Sequence, residues 1–312
     1  MKITKLAAID VGSNAVRLLI NTIYDDGVSH PVYNKTSLVR IPVRLGVDAF
    51  VHRTVSADNI QRLTKAMQAY RHIMDIHGIQ DYRAFATSAM REVTNGDKVI
   101  KSIKKNANID LEIIDGQHEA DVIFATELDY FVKDDQNYLF VDVGGGSTEL
   151  TLLAHGKVLN SKSFPVGTVR WLHNKVPENF ISREIQPWIL ENTKHLSNIA
   201  IIGSGGNINF IFKLSAKKMG KPLTYNFLKT FKNKLSKLTY EQRMSTYNMK
   251  PDRADVVMPA LEIFTQIMRY SKATKIYVPK IGLADGMIQY MYHQMQESED
   301  FYKEDTKPDN QN

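Results

Sequence analysis

Residues 138–153 read YLFVDVGGGSTELTLL. An apolar run, Leu139-Phe140-Val141, ends in Asp142; Gly144, Gly145 and Gly146 follow, then Ser147-Thr148, Glu149 and a second apolar run. This order predicts a strand, a tight glycine turn and a returning strand. Without a Cβ, the glycines let backbone N–H groups close around a tetrahedral anion where bulkier residues would clash. Ser147 and Thr148 add hydroxyl donors. Asp142 and Glu149 set two carboxylates at the rim, the oxygen ligands that a phosphate-bound Mg²⁺ takes. Taken alone, the pattern fits an ordinary glycine hairpin with a surface carboxylate on each side equally well.

The chain says nearly the same thing twice. Residues 6–20 read LAAIDVGSNAVRLLI, again an apolar strand ending in an aspartate, Asp10, then Gly12-Ser13-Asn14 and a second apolar run. Asp142 stands 132 residues after Asp10 (142 minus 10), about the size of a domain. A repeat at that spacing implies two similar halves, each offering a phosphate-holding hairpin to a shared cleft.

Five segments carry a resemblance. Asp10-Val11-Gly12-Ser13-Asn14, Ala86-Thr87-Ser88-Ala89-Met90-Arg91, Gly116-Gln117-His118-Glu119-Ala120, the Asp142 to Glu149 loop and Gly203-Ser204-Gly205-Gly206 stand in this order. The segments and their order resemble the Ppx/GppA family of exopolyphosphatases and guanosine pentaphosphate phosphohydrolases. The glycine loops alone indicate the wider group of sugar kinases, actin and chaperone ATPases; the segments around Arg91 and Glu119 narrow it. The resemblance implies an α/β protein of two actin-like domains around a central cleft. The first is expected over 1–122, with a C-terminal helix over about 285–297 packing back on it, the second over 123–284, and a disordered tail over 298–312.

The resemblance also implies roles. Glu119 is expected to activate the attacking water, and Asp142 and Glu149 to join it in catalysis. Asp142 and Glu149, with Asp10, are expected to hold Mg²⁺ or Mn²⁺. Phosphate contacts are expected from Gly12, Ser13, Asn14, Arg17, Arg91, Gly144, Gly145, Gly146, Ser147, Thr148 and Gly205. Inorganic polyphosphate is the expected substrate, guanosine pentaphosphate the rival, and a non-catalytic phosphate sensor the alternative of another class. The chain departs from the family at His118 and Asp121, where many members carry a glutamate and an arginine, and at Ala284-Asp285, where Arg-Glu is frequent. Shifted substrate preference, or sensing without turnover, would follow if those side chains matter.

Composition is compatible with this reading. The chain has 312 residues, 43% of them apolar, enough for a core in each of two domains. With no cysteine, a disulfide, a thiolate metal site and a cysteine nucleophile are excluded. No signal-peptide h-region follows Met1, and no apolar run reaches membrane-spanning length, so a cytoplasmic location is expected. The net charge of +6 suits a polyanion. Nucleic acid is not expected as a partner, and a homodimer is left open.

Along the chain, 39–45 is expected to add a third strand. Ser56 caps a helix with Ile60, Leu63, Met67, Tyr70 and Met74 on one face and Gly78 at its end. A strand over 82–87 delivers Arg91 beyond its C-terminal end, where open α/β sheets bind ligands. A helix over 119–131 carries Glu119 in its first turn. Further strands are expected over 157–164, 199–202 and 276–278, and helices over 97–105, 181–196, from 207, over 253–270 and from 282 to about 296; Gly167 and Thr168 open another. The lysine-rich stretch 213–237 reads as a solvated face or a track for polyphosphate, with Phe227, Leu228, Phe231 and Leu235 buried at helical spacing.

Overall fold

The computed structural model describes residues 1–124 and 136–305. Eleven strands make two sheets among them: β1 (Lys2–Val11), β2 (Val16–Asp25), β3 (Val32–Ile41), β4 (Asp81–Ala86) and β5 (Glu112–Ile113) form the first. β6 (Asn137–Val143), β7 (Thr148–Ala154), β8 (Lys157–Phe164), β9 (Ile199–Ser204), β10 (Leu223–Thr224) and β11 (Lys275–Tyr277) form the second. Strand order is β3-β2-β1-β4-β5 in one and β10-β11-β9-β6-β7-β8 in the other. Each sheet is thus an antiparallel three-strand meander with parallel strands on the side of the first, and in the second sheet the edge strand β10 then pairs antiparallel to β11. The sequence repeat is a repeat of topology, with β6 in the place of β1. The chain is an α/β protein of two actin-like halves.

Helices follow from amphipathic stripes. α1 (Ala57–His77) buries Leu63, Met67, Tyr70 and Met74, is capped by the Ser56 side chain, and ends at Gly78 with φ 64°. Burying each such side chain contributes about 1.5–3 kcal/mol, and α1 and α3 (Gly96–Ala107) lie against each other over the first sheet, with the short α2 (Ser88–Arg91) between β4 and α3. α4 (Gly116–Phe124) carries Glu119 in its first turn; the expected continuation to 131 lies outside the described residues. The second half adds α5 (Thr168–Leu172), α6 (Gln186–Thr193), α7 (Gly206–Leu214), α8 (Tyr225–Leu235), α9 (Tyr240–Tyr247), α10 (Pro251–Ala254), α11 (Val257–Tyr270) and α12 (Leu283–Asp305). On α8, Leu228, Phe231 and Leu235 are buried while Phe227 is half-buried and stacks on Phe231.

Three expectations need correction. The third strand spans 32–41, not 39–45, because it pairs along the full length of β2. The helix expected over 253–270 is broken between α10 and α11, where Val256 N–H bonds Arg253 O in a tight turn. The last helix runs on to Asp305, into the expected tail; 306–312 lie outside the described residues.

One core cluster belongs to both sheets. Leu6 and Ala8 of β1, Tyr138 and Phe140 of β6 and Ile202 of β9 share it with Met287, Ile288 and Met291 of α12. A Cβ on Gly286 would lie 1.9 Å from the Val122 carbonyl oxygen, so α12 and α4 meet backbone to backbone there. The C-terminal helix therefore holds together the sheet faces from which the site is built.

Candidate active site

The hairpin registers place two rows of side chains at the C-terminal ends of β1 and β6. In the first sheet Asp10 is opposite Arg17, and Arg17 opposite Arg40. In the second, Asp142 is opposite Glu149, and Glu149 opposite Ser163. The rows occupy equivalent positions, yet one is basic beyond its aspartate and the other acidic. Arg17 Nη1 bonds Asp10 Oδ2 at 2.6 Å, and Arg40 Nη2 bonds Asp252 Oδ2 at 2.5 Å. Ser163 Oγ donates to Glu149 Oε1 at 2.8 Å, while Glu149 Oε2 is buried without a hydrogen-bond partner.

The two loops repeat as well. Gly12 N–H closes on Ala15 O at 3.1 Å, and Gly144 N–H on Ser147 O at 3.0 Å. Carbonyls of both loops are held from outside: Ser13 O by Gly46 N–H (2.8 Å) and Asn14 O by Arg44 N–H (3.1 Å); Gly144 O by Thr168 N–H (3.0 Å) and Gly145 O by Val169 N–H (2.8 Å). With carbonyls so occupied, the Gly145, Gly146 and Ser147 amides have no backbone acceptor among the described residues and are free for an anion. The loops touch: a Cβ on Gly145 would lie 2.8 Å from the Ser13 Cβ, and one on Gly146 2.2 Å from Ser88 Oγ. Glycine is required there by close approach. At Gly205 it is required by conformation too, with φ at +107° and a Cβ position 2.7 Å from Val143 O.

Between the halves lies a cleft of about 640 Å³ lined by both loops, Asp10, Arg17, Glu119, Asp142 and the Gly205-Gly206 turn. Its outer wall is basic. Arg253 stacks over the Phe210 ring at 4.7 Å, and burial with Arg40 and Arg17 nearby pushes its pKa down to about 10. Burial works to lower Arg17 as well, but Asp10 outweighs it and holds the guanidinium above its ordinary value.

Glu119 comes to the cleft from α4. Its Oε2 lies 3.1 Å from Arg91 Nη1, which also donates to Ile114 O at 2.7 Å. Burial and the neighbouring Glu149 carboxylate push Glu119 well above the usual range against the pull of Arg91. Burial raises Asp142 to about 6, with Ser204 and Arg17 opposing, and burial with Asp142 raises Glu149 to about 7. Three carboxylates are thus packed with less positive charge than they need.

Gly12, Ser13, Asn14, Arg17, Gly144, Gly145, Gly146, Ser147 and Gly205 all line the cleft, with Asp10, Asp142 and Glu119. Three side chains are not free in it. Thr148 is fully buried and its hydroxyl donates to Val166 O at 2.6 Å, fixing the strand below the loop. Arg91 stands behind Glu119, and the Asn14 carboxamide donates to Asp252 O at 2.8 Å. Asp10, Asp142 and Glu149 do not make a three-carboxylate cage, since Asp10 is turned onto Arg17; no three acidic or histidine side chains gather as a metal set among the described residues. Mg²⁺ is commonly held by only one or two carboxylates plus substrate phosphates, and the orphaned Glu149 oxygen near Asp142 fits such a partial shell. His118 is exposed with its ring edge-on to Phe85, Asp121 accepts from Gln117, and Asp285 pairs with Lys35. Arg40, Ser163, Arg170 and Arg253 were not singled out by the sequence reading. Arg40 and Ser163 were recoverable, because each lies directly across a strand pair from Arg17 or Glu149.

Comparison with known proteins agrees with this architecture. The sequence pattern of the Ppx/GppA phosphatase family matches residues 24–295. The bifunctional 3-dehydroquinate synthase/phosphatase of Fusobacterium nucleatum is 29% identical over 295 residues, covering 85% of this chain and 43% of that protein. Exopolyphosphatase 2 of Mycobacterium tuberculosis is 34% identical over 178 residues, 54% of each chain. The chain thus spans about half the length of these relatives. The crystal structure of an exopolyphosphatase from Cytophaga hutchinsonii superposes with a TM-score of 0.81 at 24% identity, covering 93% of this chain and 98% of that one, which shows a shared fold. Two actin-like halves with paired phosphate-type loops define the class; the chain belongs to the Ppx/GppA phosphatase family.

Proposed function

We propose that the chain is an exopolyphosphatase, which cleaves the terminal phosphoanhydride bond of inorganic polyphosphate with water. The observation that carries this is Glu119, held by Arg91 at 3.1 Å and facing the cleft where the two glycine loops meet. The free amides of Gly145, Gly146 and Ser147, with Ser13 opposite, bind the terminal phosphoryl group. Arg17 supplies positive charge beside it, and the wall carrying Arg40, Arg253, Lys213 and Lys280 takes the rest of the polymer.

Glu119 accepts a proton from water as the water oxygen attacks the terminal phosphorus. The bond from phosphorus to the bridging oxygen breaks, giving orthophosphate and a chain one unit shorter. Glu119 is the carboxylate placed to take that proton: burial and the Glu149 carboxylate raise its proton affinity, and Arg91 opposes them. Arg91 orients the carboxylate, and the loop amides take up charge on the transferring oxygens. Asp142 and Glu149 would hold Mg²⁺ or Mn²⁺, which supplies Lewis-acid stabilisation of the phosphoryl oxygens when bound.

Guanosine pentaphosphate is the second reading. The cleft continues past Gly206 to Asn209 and Phe210, and Asn209 Oδ1 is buried without a partner, an acceptor that a purine amino group would satisfy.

Phosphate release with Mg²⁺ from long-chain polyphosphate, short-chain polyphosphate and guanosine pentaphosphate decides among these. Fastest release from polyphosphate, absent in Glu119→Gln, is the expected result. Preference for guanosine pentaphosphate selects the second reading. Binding without release from any of the three overturns hydrolysis and leaves a phosphate sensor.

A further inference from the structure

Arg170 is buried, 8% exposed, and belongs to none of the segments assigned a role above. Its backbone N–H and its guanidinium both reach the second glycine loop: the N–H bonds Gly145 O at 3.1 Å and Nε bonds Gly146 O at 2.8 Å. The other edge of the same guanidinium forks onto both carboxylate oxygens of Glu92, through Nη1 at 3.2 Å and through Nη2. Glu92 follows Arg91 directly and is steadied by Arg53 at 3.0 Å. The guanidinium plane lies over the Phe50 ring at 4.2 Å, and Phe50 Cζ would be 2.3 Å from a Cβ on Gly146. One side chain of the second half is therefore fixed on three sides, and joins the phosphate loop to the turn that bears Arg91 in the first half.

We propose that Arg170 is a positioning residue for phosphoanhydride cleavage, setting the Gly145-Gly146 amides and Arg91 in register across the domain boundary. The physical reason is geometric. The donors for a developing oxyanion must be held to within a few tenths of an ångström, and a loop of three glycines has little stiffness of its own. A bidentate guanidinium–carboxylate fork with a third bond to Gly146 O supplies that stiffness. Lysine, a single point donor, cannot make the fork and the carbonyl bond together.

The proposal rests on the hydrolase reading, so it is tested with and without turnover. In Arg170→Gln, kcat on short-chain polyphosphate should fall at least about tenfold with KM within about threefold, as loss of an aligned transition-state donor does. In an Arg91→Lys background the same substitution should cost less than about threefold, because the groups act as one unit. Equal losses in both backgrounds overturn the proposal, as does a KM effect without a kcat effect. Hydrogen exchange of the intact chain gives the second readout. Arg170→Gln should speed exchange together at 144–147 and 88–94, while α1 and α11 keep their protection. Unchanged exchange at either segment, or faster exchange throughout, overturns it even if the wild-type chain releases no phosphate.

Discussion

Arg91 Nη1 lies 3.1 Å from Glu119 Oε2 and at the same time donates to Ile114 O at 2.7 Å, so the arginine is anchored to the first sheet before it meets the carboxylate. Glu119 is thereby held at the cleft by a group that cannot follow it away. Glu119→Gln keeps the shape and the bond to Arg91 but cannot take a proton from water. Turnover should fall at least about 100-fold, while tripolyphosphate affinity, measured by calorimetry, stays within about threefold. Wild-type rates in this variant would remove Glu119 from the chemistry.

The contact between the loops gives a second expectation. A methyl group at Gly145 would sit 2.8 Å from the Ser13 Cβ and 3.2 Å from Val169 Cγ2. Gly145→Ala should push the halves apart at the cleft floor, lowering the melting temperature by an amount corresponding to about 1–3 kcal/mol and weakening tripolyphosphate binding. Calorimetric melting with ligand titration checks both, and an unchanged affinity would mean that the loops do not grip one anion together.

Acid should stabilise the metal-free protein in one window. Asp142 and Glu149 titrate at about 6 and about 7 in the folded chain, above their ordinary values, chiefly because they are buried. The folded chain therefore holds protons that the unfolded chain has released, so this contribution is present at about pH 4, the unfolded range, and is lost as pH rises through 6 to 7. Glu149→Gln should raise the melting temperature at pH 7.5 by about 3 °C or more and flatten its fall between pH 5.5 and 7.5. A variant no more stable than wild type at pH 7.5 would show that Glu149 carries no such strain.

A divalent cation should relieve the same burial. Millimolar Mg²⁺ should raise the melting temperature of the wild-type chain at pH 7.5 and leave Glu149→Gln unmoved, in the sense that linkage requires for an ion bound only by the folded state. Chelation with EDTA should abolish phosphate release, and added Mg²⁺ should restore it. Equal stabilisation of both proteins would place the ion elsewhere.

Much of the fold was legible because it is written in local pattern. The apolar runs flanking Asp10 and Asp142 gave both hairpins, and the cap at Ser56 and Gly78 gave α1 to the residue. The ends of β3 and α12 were not legible. β3 is set by pairing along β2, and α12 by docking on α4 and β1, neither of which leaves a local mark.

For the site, the sequence by itself determined which residue types exist at which loop positions: an aspartate at the end of each equivalent strand, small residues after it, and a glutamate opening α4. Only the tertiary structure decided which of them face one another. It turned Asp10 onto Arg17 and left a Glu149 oxygen without a partner; it committed the Thr148 hydroxyl to Val166 and brought Arg170 beneath Gly146. The reason is that turn and strand propensities act over a few residues, whereas burial, pairing and pKa depend on groups far apart in the chain, such as Arg170 and Glu92, 78 positions from each other.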